Sequence, residues 1–177
     1  MIKIVQKENK VLRESAKEVA SKLFGSIKLK KIVNDMSEAL AKEDDGVALA
    51  APQIGLALRI FIVSGKIFTR EDNDRPAGLA GKVKPDLVFI NPTITSLSKT
   101  KQVMEEGCLS VRWLYGEVKR ATKATVTAYD ITGKKFTRSS SGLLARIFQH
   151  EIDHLDGILF TDKTKELKEY QPKPKNK

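Results

Sequence analysis

Between positions 26 and 42 the apolar residues Leu29, Ile32, Val33, Met36, Ala39 and Leu40 recur at three- and four-residue intervals with charged residues between them. That period predicts an amphipathic helix with one face on a core. The acidic run Glu43, Asp44, Asp45 and then Gly46 end it, and the small, apolar stretch 47–55, interrupted by Pro52, reads as a tight loop or short strand. Runs rich in β-branched and aromatic residues at 58–63 and 87–90 predict buried strands, and 125–129 with Thr132-Gly133 and 135–137 predicts a hairpin. A second helix is expected within 139–157: Ser139, Ser140 and Ser141 offer an N-cap, an apolar-periodic run reaches Leu155, and Gly157 is a natural stop. At about 100° per residue, Leu143, Ile147, His150 and His154 share one arc of that helix. Leu144, Phe148, Ile152 and Leu155 form another apolar side, so the helix is expected to be largely buried. Residues 9–20 read as a loop with a helical turn or two, 64–86 as a surface loop, and the lysine-rich end 163–177 as a flexible basic tail.

The chain has 177 residues and a formal charge of +10, a size that suits one domain, and 41% hydrophobic residues supply a core. Its longest apolar run, 47–52, is far too short for a membrane span, and the first ten residues mix Lys3, Lys7, Glu8 and Lys10 among few apolar ones, unlike a secretory signal. A soluble, cytoplasmic protein is the expectation. One cysteine makes no intramolecular disulfide, so Cys108 is either a small buried hydrophobe or a working thiol. At 6% aromatic residues the chain lacks base-stacking platforms, which argues against sequence-specific nucleic-acid binding. The positive charge suits ribosome association or a plain lysine-rich surface.

The chain's two histidines, His150 and His154, lie one helical turn apart in His-Glu-Ile-Asp-His. Two imidazoles at that spacing bind one metal ion, and Glu151 beside the first is placed to act as a base on water that the ion acidifies. The plain alternative is a pair of core or surface histidines that fall on one face. A catalytic site takes three protein ligands and keeps a fourth position open, so a third donor is needed. Cys108, Glu166 and Glu169 are the candidates.

Three separated stretches, Gly46-Val-Ala-Leu-Ala-Ala-Pro-Gln53, Glu106-Gly-Cys-Leu-Ser110 and Gln149-His-Glu-Ile-Asp-His154, resemble in order and spacing the signature motifs of bacterial peptide deformylases. Lys10-Val-Leu-Arg-Glu-Ser-Ala, Phe89-Ile-Asn-Pro92 and His154-Leu-Asp-Gly157 are similar to further family segments, so the resemblance covers nearly the whole chain. It implies a single α+β domain in which antiparallel sheets pack around a central metal-binding helix. The implied activity is hydrolytic removal of the N-formyl group from the formyl-methionine of nascent polypeptides, with release of formate. It makes Cys108, His150 and His154 the ligands of one divalent ion, with ferrous iron as the native metal and zinc, nickel or cobalt able to replace it. It makes Glu151 the acid/base, with Gln53 and the Leu109 amide as oxyanion partners. Val47, Ala48, Gly107, Leu143 and Ile147 would line the substrate site, with plain core packing as the alternative for Val47, Leu143 and Ile147. Glu106 and Arg120 would form an ion pair that stiffens the cysteine loop, and the basic tail would add attraction to the ribosome.

Two departures from the family pattern stand out. Ala48 replaces the second glycine of the first motif, which would cost on the order of 1 kcal/mol if the backbone there needs a positive φ. The proline common after the cysteine motif is absent, and Arg112 and Trp113 stand near the expected cleft. Two rival readings are a zinc metallopeptidase and a basic RNA- or ribosome-binding module with a structural metal. The first lacks the further histidine of the extended motif, position 160 being Phe160; the second lacks a fourth Cys or His to close its site.

Overall fold

In the computed structural model, which describes residues 2–68 and 84–170, every residue of Ile60–Val63 is buried. Its run of apolar residues without alternation has a simple cause: the strand is covered on both faces. Ile60 and Ile62 pack with Leu29, Met36 and Leu40 of helix α1 (Ile27–Ala41), while Phe61 and Val63 pack with Phe148 and Ile152 of helix α2 (Gly142–Leu155). The expected first helix is present, capped by Ser26, whose hydroxyl accepts from the Leu29 N–H at 3.2 Å.

The strands are β1 (Ala48–Ala50), β2 (Ile60–Val63), β3 (Leu87–Leu97), β4 (Lys101–Cys108), β5 (Val111–Ala121), β6 (Lys123–Tyr129), β7 (Lys135–Ser141) and β8 (Leu167–Glu169). They form two antiparallel sheets, β1-β2-β3-β6-β7 and β4-β5-β8, and α2 packs against strands of both. The fold is therefore α+β with antiparallel sheets around a central helix. In the predicted hairpin, β6 buries Ala124, Val126 and Ala128 toward α2, while Thr125 and Thr127 face outward and bond the hydroxyls of Ser139 and Thr137 at 2.9 and 2.8 Å. Phe148 of α2 meets the stacked rings of Phe61 and Phe89, which fastens the helix to the larger sheet.

Several expectations are corrected. The pattern did not reveal β4 and β5, because β4 is mostly exposed and polar and the inward positions of β5 include Gly116 and Arg120. Ser141 occupies the N-cap position of α2 but its side chain makes no capping bond; the three serines instead extend β7. The basic end was expected to fray from 163 onward, yet 167–169 pair with Leu114–Gly116 on the edge of β5, and Tyr170 packs edge-on against Tyr115 at 5.2 Å. Backbone pairing to an open sheet edge needs no apolar pattern, so composition gave no warning of it. Residues 171–177 of the tail and 69–83 of the expected surface loop lie outside the described residues. The two ends of that loop are joined, the Gly65 N–H donating to Asp86 at 3.0 Å.

Gly157 ends α2 at φ 75°, and a Cβ there would stand 2.8 Å from the Arg13 carbonyl oxygen. Gly25 has φ 72° but open space around it. Urea unfolding is expected to show a loss of about 1 kcal/mol for Gly25→Ala, the cost of the left-handed backbone. Gly157→Ala is expected to lose distinctly more, because the clash with backbone adds to that cost.

Candidate functional site

Strand β4 delivers Cys108 at its end, turns through Leu109 and Ser110, and returns as β5 from Val111. Beneath this turn, α2 presents His150 and His154 one turn apart. The Cys108 Sγ lies 3.2 Å from His154 Nε2, and one ligating atom from each of Cys108, His150 and His154 falls within 4.8 Å of the others. Glu166 and Glu169, the alternative third donors, are exposed.

Glu106, two residues before Cys108 and so on the same side of β4, is the organiser of this cluster. Its carboxylate accepts from His150 Nδ1 at 3.0 Å, from Arg120 Nε and Nη2 at 2.6 and 2.9 Å, and from Arg146 Nη2 at 2.8 Å. The expected Glu106–Arg120 pair is thus part of a larger network, because Arg120 also reaches Asp153 at 2.8 Å and Asp153 bonds Lys163 at 2.7 Å. Burial would push the Glu106 carboxyl up, but the hydrogen bonds from His150 and Arg120 outweigh it and hold the group at about 2. With Nδ1 committed to Glu106, Nε2 of His150 is the nitrogen left to bind an ion.

Burial opposes a charge on His150, yet its contacts with Cys108 and Glu106 raise it to about 10, so the cluster draws a proton to a place that would suit a cation. Burial, then the neighbouring His150, lowers His154 well below the ordinary histidine value, which keeps it neutral. One sulfur and two imidazole nitrogens converging in this way fit a soft or borderline divalent ion. Burial also raises Glu151 to about 7, and its Oε2 is buried with no hydrogen-bond partner. A carboxylate poised near neutral pH with an unspent oxygen is suited to taking and returning a proton.

A cavity of about 310 Å³ opens over these residues and is lined by Cys108, His150 and Glu151. Val47, Ala48, Gln53, Gly107, Leu109, Leu143 and Ile147 line it too, so the sequence-predicted residues come together; His154 lies beneath, 1% exposed. Ala48 sits in β1 opposite Val63, outside the left-handed region, so the missing glycine brings no backbone strain. The Gln53 amide is fixed in orientation: its oxygen accepts from the Ala50 N–H at 2.8 Å, and its Nε2 points at Cys108 Sγ, 3.4 Å, and Ser110 Oγ, 3.2 Å. Arg146, Ser110 and Asp153 were missed by sequence reasoning. For Arg146 a signal existed, since a guanidinium between Ala145 and Ile147 on a buried helix must have a partner.

The family model for polypeptide deformylase matches residues 1–170. The chain is 44% identical over 142 residues to a peptide deformylase of Roseiflexus castenholzii, covering 78% of this chain and 75% of that one. It is 39% identical over 163 residues to one of Desulforudis audaxviator, covering 92% and 93%. Among solved structures, an actinonin-bound peptide deformylase of Acinetobacter baumannii superposes with a TM-score of 0.78 at 29% identity, covering 92% of this chain and 97% of that one. A plant peptide deformylase does so with a TM-score of 0.76 at 37% identity, covering 92% and 80%. A match running from the first residue to Tyr170, together with relatives that share sequence, fold and length, means that this chain belongs to the polypeptide deformylase family.

Proposed function

We propose that Cys108, His150 and His154 hold one divalent ion and that Glu151, Gln53 and the Leu109 amide carry out the family's reaction, removal of the formyl group from the formyl-methionine of nascent polypeptides. The observation that carries this assignment is the convergence of three donors beside the unpartnered carboxylate oxygen of buried Glu151. A divalent ion in that position supplies Lewis acidity, polarising the formyl carbonyl and acidifying water. Glu151 takes the proton of the attacking water and passes one to the methionine nitrogen as the C–N bond breaks, giving formate and a free amine. The Gln53 Nε2 and the Leu109 N–H donate to the formyl oxygen as negative charge develops on it. Val47, Leu143 and Ile147 receive the methionine side chain, and Ala48 and Gly107 border the peptide.

The sulfur-and-nitrogen donor set and the family resemblance favour ferrous iron as the resident ion, with zinc, nickel and cobalt as substitutes. The reaction belongs where formylated chains are made, in the cytoplasm. No helix among the described residues is long and apolar enough to cross a membrane. The lysine-rich end adds attraction to ribosomal RNA, a weak term that salt screens.

Protein loaded anaerobically with ferrous iron is expected to release formate from a formyl-Met tripeptide and none from the unformylated control. Glu151→Gln is expected to lose at least about 100-fold in kcat while keeping one metal per chain, whereas Cys108→Ala loses the metal. Equal formate release by Glu151→Gln would refute the role given to Glu151. Removal of 171–177 is expected to reduce ribosome co-sedimentation at low salt, and undiminished co-sedimentation would discard the tail as a docking element.

Glu106→Gln removes the buried counter-charge of Arg146 and leaves Arg120 with Asp153 as its remaining carboxylate partner. It is expected to cost about 3–5 kcal/mol in urea unfolding. Metal affinity should fall at least about tenfold as His150 loses its orienting partner. Because the carboxyl's value is depressed in the fold, its stabilisation is complete above about pH 4.5 and is lost as pH falls toward 2. The wild type should therefore lose stability over that acid range more steeply than Glu106→Gln does.

A further inference from the structure

The β4–β5 ladder breaks beside the cavity. Gly107 pairs with Tyr115 and Cys108 with Val111, which leaves Arg112, Trp113 and Leu114 of β5 without partners on β4. A bulge of this kind re-aims side chains next to a site. Trp113, the chain's single tryptophan, adopts φ 66°, a left-handed backbone that a bulky residue rarely takes.

Two contacts hold it there. Its carbonyl accepts from the Tyr170 N–H at 2.9 Å. The Arg112 guanidinium lies over its ring, 5.6 Å from the centroid. That guanidinium is itself clamped across the cavity mouth, bonding both Asp45 oxygens at 3.0 and 3.2 Å and the Glu43 carboxylate. The indole nevertheless lines the cavity and remains 40% exposed. Met104 and Leu143, which share the cavity, are 42% and 51% exposed, whereas Ile147 deeper in is 5% exposed. A polypeptide whose methionine fills the interior must leave through this apolar mouth.

We propose that Trp113 selects for a bulky apolar side chain on the substrate residue that follows methionine, and that Arg112, locked to Glu43 and Asp45, is the positioning residue for its indole. The inference rests on the deformylase reading of the cavity. An aliphatic side chain laid against an exposed indole removes apolar surface from both, while glycine at the same position removes none. The gain is made at the mouth, away from the reacting carbonyl, so it appears in KM and leaves kcat alone.

The metal-loaded enzyme is expected to favour formyl-Met-Leu-Ser over formyl-Met-Gly-Ser by roughly fivefold in kcat/KM. Trp113→Gly, a residue at ease with φ 66°, should bring that ratio close to one. In the wild type the emission of Trp113 should shift to the blue with the product Met-Leu-Ser and little with Met-Gly-Ser. Arg112→Met should lower the ratio through KM and shift the free enzyme's emission to the red as the indole becomes solvated. Equal kcat/KM for the two peptides in the wild type, equal emission changes, or an unchanged ratio in Trp113→Gly would each overturn the proposal while leaving the deformylase reading in place. An unchanged ratio and emission in Arg112→Met would overturn the positioning role. Turnover of neither peptide would overturn the reading on which the proposal rests.

Discussion

The carboxylate of Glu106 is buried at the junction of β4, β5 and α2, where it accepts hydrogen bonds from His150, Arg120 and Arg146. A buried charge costs several kcal/mol in desolvation unless its lone pairs are met by good donors, and here donors from one strand and one helix meet them. This requirement fixes the distance between β4 and α2. Since Cys108 follows Glu106 on the same side of β4, the sulfur reaches the imidazoles because the carboxylate is where it must be. Arg120 reaches on to Asp153, which binds the network to α2 a second time, next to His154.

Burial of α2 then sets the chemistry. Phe148, set against the stacked rings of Phe61 and Phe89, and the sheet packed on it exclude water from one side of the helix. On the side that faces the site, burial raises Glu151 to about 7 and, with the neighbouring His150, keeps His154 neutral, which gives one helix a proton carrier and a lone-pair donor. Packing and site are thus the same structure, and a loosening of the helix would be felt first in the protonation of these groups.

The readable parts of the sequence were those in which the signal is local. Helix α1 carried its period, the β6–β7 hairpin its Thr132-Gly133 turn, and α2 its paired histidines. Cys108 could not be chosen from spacing over Glu166 or Glu169, because strand and helix meet only in three dimensions; resemblance to a family singled it out. Strands β4 and β5 escaped notice because a site edge exposes one strand and fills the inward positions of the other with Gly116 and Arg120. The clamp of Arg112 on Glu43 and Asp45, and the pairing of 167–169 with β5, are long-range contacts that leave no trace in the local pattern. Resemblance also raised a concern over Ala48 that the extended backbone of β1 removes.

The central claim is that Glu106 shapes an open site of one sulfur and two nitrogens. X-ray absorption at the metal edge of the zinc-loaded chain tests it most directly. One scatterer at about 2.3 Å, the zinc–thiolate distance, with two imidazoles at about 2.0 Å and one further light atom is the predicted shell. A shell without sulfur, or one made of carboxylate oxygens, would contradict the account.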